Sequence, residues 1–396
     1  MKMQKKILYI EGNVDGTVGG SYYVLFDLVN CLDKSIYKPI VGFYVDNYVN
    51  SMLNDIEIET VLFKNPKSFV FSNRILYTYL SPIRKFINLF KKLIIPSIFY
   101  AYYLKKNKID LVNLNNSIVR NHPWMLASLL SRTKCITHEM GINYNYSRSA
   151  RFFGKKLNAI ICVSYAIRDN LYKYGIKYPN ITVIQNSIDL KRYQRIQTPE
   201  DIYNIYNIDK KTPIIGVVGN VKEWKGQETI VRAAALLVDQ FPKLKCFLVG
   251  DTSPDDIYYK NYLIELCKRL NIQDNVIFTG FKKNPLDYMQ IMDIVVHTSI
   301  EPEPFGIVLL EAMALAKPLI STTIGGPKEI IINEETGILV EPGNPEKLFH
   351  AIKKCLDDTS YAQNMGRLGR QRLNEEFSLN KNVQKTMKLY DKILSK

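Results

Sequence analysis

Short apolar runs alternate with stretches of helical period along the whole chain. "KILYI" (6–10), "KPIVGFYV" (38–45), "IDLVNL" (109–114), "KCITH" (134–138), "AIICVS" (159–164) and "ITVIQN" (181–186) read as strands in the first half. "PIIGVVG" (213–219), "KCFLVG" (245–250), "NVIFTG" (275–280), "DIVVHTS" (293–299), "KPLIST" (317–322) and "GILVEP" (337–342) read as strands in the second. Runs this short, apolar throughout and bounded by turn residues, fit strands buried on both faces of a parallel sheet. Helical patterns lie between them, for example over 227–241 and 258–270. The alternation occurs twice, with a polar, strand-free interval around 191–211. This predicts an α/β protein of two doubly wound, Rossmann-like domains facing each other across a cleft, residues 1–190 and 191–375. Ligands in such sheets bind beyond the carboxyl ends of the strands, so the loops there should hold the chemistry.

Composition agrees. A chain of 396 residues exceeds what one hydrophobic core usually serves, and 46% apolar with 23% charged residues is a globular balance. The start, "MKMQKKILYIEGN", has a four-residue apolar run before Glu11, short for a signal peptide and suited to a first buried strand. The longest later run, 93–104, is interrupted by Pro96 and is short of the roughly 20 residues a spanning helix needs. A cytoplasmic protein that does not cross a membrane is expected. The six cysteines are scattered, with no C-x-x-C pair, and read as thiols of a reducing compartment. The four histidines show no metal-ligand spacing.

Charge changes the picture more. Residues 1–190 carry 25 Lys and Arg against 12 Asp and Glu, a net of +13, whereas 191–396 carry 28 against 26, a net of +2. Between Thr60 and Ile109 there are ten basic residues, no acidic one and eleven aromatics. In "SPIRKFINLFKKLIIP", Ile83, Phe86, Ile87, Phe90 and Ile94 fall at helical spacing, with Arg84, Lys85, Lys91 and Lys92 largely to the side. Such a helix suits an anionic bilayer surface. It equally suits a core-facing helix with a solvated basic face. No nucleic-acid motif accompanies the charge.

Two glycine loops follow strands. "EGNVDGTVGGS" (11–21) places Gly12, Gly16, Gly19 and Gly20 before a helix starting near Tyr22, a phosphate or sugar-hydroxyl loop rather than G-x-G-x-x-G. "GVVGNVKEWKGQETIVRAA" repeats the logic: a strand ends at Gly219, and Lys225 and Gly226 precede a helix. A lysine there suits a phosphate, or is simply solvated. The stretch "EPEPFGIVLLEAMALAKPLI" (301–320) carries Glu303 and Glu311 eight residues apart. A helix from near Phe305 to Ala316 would put Glu303 just outside its N-terminus and Glu311 about two turns inside. Eight helical residues rise about 12 Å, too far for two carboxylates to attack one bond. They are better placed on opposite parts of a long ligand. Glu303 would hold the hydroxyls of a sugar, the amides of Phe305, Gly306, Ile307 and Val308 a diphosphate, and Glu311 a ribose. That ligand is a sugar nucleotide.

Here the chain resembles a known family. The 303–311 element looks like the E-x7-E of glycosyltransferase family 4, retaining enzymes of the GT-B fold. "VIQNSID" (183–189) is similar to the family's interdomain segment, and "GGPKEIIINEETGILVEPGN" (325–344) to its G-G-x-x-E-I-I and T-G-x-L-V stretch; "LVGD" (248–251) and "FTGF" (278–281) stand in their usual order. The resemblance covers most of the chain. It implies that Lys225 binds the diphosphate and stabilises leaving-group charge, that Gly19 and Gly20 approach the diphosphate from the other domain, and that the backbone around Phe281 lies by the base. His138 matches the family's histidine near the reacting carbon, where it would orient the sugar. A final helix, 376–396, is expected to pack back on the first domain. No metal or other cofactor is implied. Two departures stand out: Asn220 occupies the place where many members have an arginine, leaving Lys222 as a candidate substitute, and Gln185 and Ser187 replace a proline and a glycine of the interdomain segment.

The expected activity is transfer of a hexose or N-acetylhexosamine from a nucleotide sugar, UDP- ahead of GDP-linked, to a glycan or glycolipid acceptor, with configuration retained. A lipid-linked acceptor for bacterial surface polysaccharide would place the enzyme peripherally at the inner face of the membrane. A nucleotide-sugar epimerase of the same fold and a catalytically silent sugar-nucleotide-binding partner are the alternatives. The epimerase should need acid/base carboxylates in the first domain, and the sequence shows no clear set.

Overall fold

A computed structural model describes residues 4–14, 19–65, 81–193 and 200–395. Gly16, of the first glycine loop, lies outside the described residues. The chain divides into two compact units, one made of residues 1–185 with 380–396, the other of 186–379.

Unit 1 is built on a parallel sheet of seven described strands: β1 (Lys5–Glu11), β2 (Tyr37–Phe43), β3 (Glu59–Leu62), β4 (Leu111–Asn115), β5 (Lys134–Glu139), β6 (Ala159–Cys162) and β7 (Ile181–Val183). Their order is β3-β2-β1-β4-β5-β6-β7. Unit 2 has six: β8 (Ile214–Val218), β9 (Lys245–Val249), β10 (Val276–Gly280), β11 (Ile294–His297), β12 (Leu319–Thr322) and β13 (Ile338–Val340), in the order β10-β9-β8-β11-β12-β13. Each order reverses once, at β1/β4 and at β8/β11. Those are the switch points where a doubly wound sheet opens a crevice at its carboxyl edge. The apolar runs read from the sequence are these strands. β3 adds an edge strand that parallels β2 from Ile40↔Glu59 to Phe43↔Leu62. Half-buried and begun by a glutamate, it lacks the continuous apolar run of the inner strands.

The runs overshoot at their carboxyl ends. Val163 and Ser164, and Thr298 and Ser299, lie beyond β6 and β11 and are already loop. They are nonetheless buried, which is why they read as strand. The strand interiors are the core: Ile7, Leu8 and Ile10 in unit 1, and Ile215, Cys246 and Ile320 in unit 2, are fully enclosed.

The C-terminal helix, Leu379–Leu394, belongs to unit 1 from Asn380 on. Its Tyr390 is fully buried and edge-on to Tyr37, with ring centroids 5.9 Å apart. The Tyr390 hydroxyl lies 3.1 Å from that of Tyr9 and accepts a 2.7 Å bond from Asn113 Nδ2. Tyr37 donates to Asp391, and Asn382 Nδ2 to the Gln185 carbonyl at 2.6 Å. The unit boundaries, 185/186 and 379/380, sit five residues before and four residues after those drawn from the sequence. A β-bridge between Ile188 and Ser378 explains both, because it holds the two linker ends within unit 2.

Tyr390 separates packing from hydrogen bonding. Tyr390→Ala should destabilise unit 1 by about 3–5 kcal/mol, the range for removing a buried aromatic ring, and Tyr390→Phe by about 1–3 kcal/mol, the two buried hydrogen bonds of its hydroxyl. Urea unfolding followed by hydrogen exchange in β1 and β4 measures both. Equal losses from the two variants would show that the ring is not the anchor.

Candidate active site

Two of the residues singled out in unit 2, Lys225 and Glu303, meet at the switch point of its sheet. Lys225 ends a short 3-10 turn, Glu223–Lys225, after β8. Glu303 lies in the loop after β11. The two are 78 residues apart in sequence, yet Lys225 Nζ is 2.6 Å from Glu303 Oε2. Two glycines make the approach possible. Gly226 has φ +65°, and a Cβ on it would stand 2.2 Å from the Thr298 carbonyl oxygen. Gly325 has φ +75°, and a Cβ there would stand 2.2 Å from the Glu303 carbonyl oxygen. Any side chain would thus push the Lys225 turn off the loop after β11, or the 325–326 loop off Glu303. Thr298 Oγ1 donates to the Lys225 carbonyl at 2.8 Å, and the Gly326 amide to the Glu303 carbonyl at 2.8 Å.

Glu303 is buried, and one of its oxygens collects three donors. Besides Lys225, Oε2 faces His297 Nε2 at 3.2 Å and Ser299 Oγ at 3.3 Å. His297 Nδ1 in turn lies 2.9 Å from Ser321 Oγ. An Nε2–H tautomer satisfies all of these, with Nδ1 accepting from Ser321 and Nε2 donating to the carboxylate. Burial alone would raise the Glu303 pKa, but the His297 hydrogen bond and the Lys225 charge outweigh it and hold the carboxyl at about 2. His297 moves down from its ordinary value because it is buried, with Glu303 opposing. The neutral imidazole is therefore a fixed donor and Glu303 a permanent anion.

The sequence reading missed His297 and Ser299. The signal was present: residues two apart at a strand end share a face, and both stand just ahead of Glu303. Trp224 was also missed; its ring centroid lies 4.2 Å from Lys225 Nζ, a cation–π contact that steadies the ammonium.

The helix after Glu303 runs Ile307–Ala314 rather than Phe305–Ala316. Gly306, at φ +102°, is its N-cap, and Ala316, at φ +52°, lies beyond its end. Phe305 and Gly306 therefore belong to the preceding loop, and Phe305 is buried against Phe377 at 6.0 Å between centroids. The amides of Ile307 and Val308 form the first turn, and no side chain caps it. Glu311 is half-buried one turn further in. Asn220 is exposed, and its carbonyl accepts from Gln227 Nε2 at 2.9 Å. Lys222, the candidate substitute cation, pairs with Asp256 at 3.1 Å. Phe281 is exposed just past β10.

In unit 1, Gly19 is the N-cap and Gly20 the first residue of the helix Gly20–Cys31, and among the described residues nothing lies within 4 Å of a Cβ on either. His138 is buried at the end of β5, its Nε2 3.3 Å from Asn113 Nδ2. Burial lowers its pKa to about 4, so it is neutral at physiological pH. Asn113 carries the contact on to Tyr390 and hence to Tyr9.

A second group there escaped the sequence reading. Glu11, ending β1, accepts from the side-chain amides of Asn115 and Asn116. Glu139, ending β5, accepts from Ser117 Oγ at 2.9 Å and from the Ile118 amide. Burial raises both carboxyls to about 7, against these hydrogen bonds. Together they clamp the loop after β4, where Asn116, Ser117 and Asn121 all have positive φ. Among the described residues, no three His, Cys, Asp or Glu side chains are grouped to hold a metal ion.

Comparison with known proteins follows this geometry. Residues 45–192 match the model described as Glycosyltransferase Family 4, and 199–372 that described as Glycosyl transferases group 1. The fold is GT-B: a Rickettsia africae glycosyltransferase superposes with TM-score 0.82 at 24% identity, covering 99% of each chain. Anabaena HepE in complex with UDP gives TM-score 0.80 at 23% identity, over 98% of this chain and 100% of that one. The chain belongs to the family 4 glycosyltransferases. Among curated relatives it is similar to the N-acetyl-alpha-D-glucosaminyl L-malate synthase of Bacillus anthracis, 28% identical over 57% of this chain and 63% of that protein. It is also similar to the capsular polysaccharide biosynthesis glycosyltransferase CapM of Staphylococcus aureus, 26% identical over 55% and 57%. The matches thus span about three-fifths of those relatives' lengths.

Removing the ammonium tests the electrostatics. In Lys225→Met, burial should dominate Glu303 and move its pKa up. The charged carboxylate then costs stability at pH 7, of the order of the 3–5 kcal/mol seen when a buried pair loses one partner. Acidification protonates Glu303 and relieves part of the cost, so the gap to wild type should narrow between pH 7 and pH 5. Urea unfolding at the two pH values decides. A gap independent of pH would show that Lys225 does not hold Glu303 ionised.

Proposed function

We propose that this chain is a retaining glycosyltransferase that moves a hexose or N-acetylhexosamine from a nucleotide sugar to a sugar acceptor. One observation carries the reading: Lys225 and Glu303, a cation and a hydroxyl-binding anion, touch beside an open helix N-terminus. In a sugar nucleotide a single oxygen joins the transferred sugar to the β-phosphate, so groups for each must adjoin. Lys225 and the Ile307 and Val308 amides would bind the diphosphate, Glu303 the sugar hydroxyls, Glu311 the ribose and the backbone near Phe281 the base. Gly19 and Gly20, at the uncapped helix of unit 1, would meet the diphosphate as well. UDP is the nucleotide to test first, being the one bound in the HepE fold neighbour.

Transfer breaks the bond between the anomeric carbon and the phosphate oxygen and forms one to the acceptor oxygen. The acceptor's proton goes to the departing phosphate on the same face, which retains configuration. Lys225 and the helix amides stabilise the charge growing on that phosphate, so no metal is required. His138, neutral and a weak base with a pKa near 4, would orient the sugar rather than take the proton.

The acceptor we infer is a lipid-linked glycan for surface polysaccharide, met at the inner face of the cell membrane; CapM, a relative, is named for capsular polysaccharide biosynthesis. The basic helical segment containing Arg84, Lys85, Lys91 and Lys92 supports a peripheral, cytoplasmic placement, each charge near an anionic leaflet contributing about 1 kcal/mol. Among the described residues no helix is long and apolar enough to cross a membrane. One observation keeps an epimerase in view: Glu11 and Glu139 are carboxyls poised near neutrality in unit 1. Their hydrogen bonds to the loop after β4 favour a positioning role, and mass spectrometry of the recovered sugar separates the two.

Four measurements test the reading. Glu311→Ala should weaken UDP-sugar binding by roughly 1.5–3 kcal/mol per hydroxyl bond lost, read by calorimetric titration; unchanged affinity removes it from the ribose. Lys225→Ala should lower kcat by more than it raises KM, because the charge it meets grows in the transition state. Failure of the purified wild-type protein to hydrolyse or transfer any of a panel of UDP- and GDP-sugars would favour the silent binding partner. Finally, sedimentation with anionic liposomes should be lost at high salt and on replacing Arg84, Lys85, Lys91 and Lys92 with glutamate.

A further inference from the structure

The segment from Ser81 to Lys106 is continuously helical but not uniformly so. An α-helix, Ser81–Leu89, passes through a π-helical turn, Phe90–Ile94, into a second α-helix, Ile95–Lys106. The Ile95 amide donates to the Phe90 carbonyl five residues back, the bond that marks such a turn. A π turn inserts one residue into an α-helix and so rotates everything after it by about 100°.

That rotation decides which residues share a face. Ile83, Phe86 and Phe90 lie in one sector of about 60° on the first helix. Were the helix regular, Ile95, Ile98 and Tyr102 would follow about 100° away and split the exposed apolar residues into two short stripes. The π turn carries them back into line. Burial agrees: these six side chains are between 42% and 63% exposed, whereas Pro96, Ser97, Tyr100 and Leu104 on the opposite side are buried. Tyr100 stacks on Trp124 at 4.0 Å and 2°, which fixes the inward face. Phe86 and Phe90, 4.9 Å apart between centroids, lie together on the outward one.

We propose that the π turn builds a single bilayer-contacting stripe from Ile83 to Tyr102, which inserts among the acyl chains of an anionic leaflet. This deepens the membrane-surface reading above and rests on it. Exposed apolar side chains contiguous over about 30 Å of helix exceed the scattered hydrophobes of an ordinary surface. The occupant follows from charge. Lys91, Lys92, Lys105 and Lys106 are exposed along the same helices, and no acidic residue occurs between Thr60 and Ile109. A lipid surface supplies acyl chains for the stripe and phosphates for its flanks. A protein partner would have to supply an apolar groove edged wholly with acids.

Tryptophan scanning with brominated-lipid vesicles tests this. Tryptophan is placed singly at Ile83, Phe86, Ile98 and Tyr102 on the stripe, at Lys85 off it, and at Tyr23 on the helix Gly20–Cys31. Fluorescence on vesicles of brominated phosphatidylglycerol is compared with that on unbrominated ones. All four stripe positions should be quenched, and Lys85 and Tyr23 spared. Quenching confined to 83 and 86, or to 98 and 102, would overturn the single stripe. Absence of vesicle binding at low salt, or concentration-dependent self-association that buries the same positions without lipid, would overturn the bilayer as the occupant. Donor hydrolysis by the wild-type protein is measured in parallel; its absence together with intact vesicle binding would count against the transferase reading alone.

Discussion

The site in unit 2 depends on keeping one buried carboxylate ionised. Glu303 lies where burial favours the neutral acid, and it stays an anion because Lys225, His297 and Ser299 all direct donors at a single oxygen. The donors come from two places far apart in the chain, the turn after β8 and the end of β11, so the carboxyl edge of the sheet must be assembled before the charge is tolerable. Gly226 and Gly325 belong to this requirement. They lack the Cβ atoms that would hold the Lys225 turn and the 325–326 loop away. Gly226 and Gly325 thus serve to bring two charges together.

Unit 1 solves a related problem with the opposite electrostatics. Among the described residues Glu11 and Glu139 have no cation in hydrogen-bond contact; burial prevails and their carboxyls sit at about 7. What they stabilise is backbone: a loop with three non-glycine residues at positive φ, a conformation that persists only when its surroundings impose it. His138 stands beside this loop but answers to a different chain of contacts, through Asn113 to Tyr390.

How much of this was legible depends on whether the information is local. Inner strands such as "KILYI" and "DIVVHTS" declare themselves because both faces are buried. β3, at the sheet edge and opened by Glu59, does not. Glu303, Lys225 and Glu311 were found from spacing and from resemblance to a family. The helix start was placed two residues early, because the sequence does not show that Gly306 would adopt φ +102°. His297 hid inside an apolar run, and its importance appears only once Ser321 of β12 and Glu303 of the loop after β11 close on it. Glu11 and Glu139 looked like ordinary strand-end acids until the β4 loop closed over them. The stripe on 83–102 is an intermediate case. The jump in phase between Phe90 and Ile95 is visible in the sequence, but it signifies one face rather than two only when the π turn is known.

The C-terminal helix has a consequence for how the molecule is made. Residues 186–379 are contiguous, so unit 2 can complete its core as soon as they leave the ribosome. The sheet of unit 1 is synthesised first, yet it lacks Tyr390 until the segment 380–396 emerges. In that interval the Tyr9 hydroxyl and the Asn113 amide, central to the sheet, have lost a buried partner, and Tyr37 has lost its ring contact. Domains generally finish in the order they are translated; here unit 1 can be closed only after unit 2 has been synthesised, and the histidine beside Asn113 acquires its final surroundings only then.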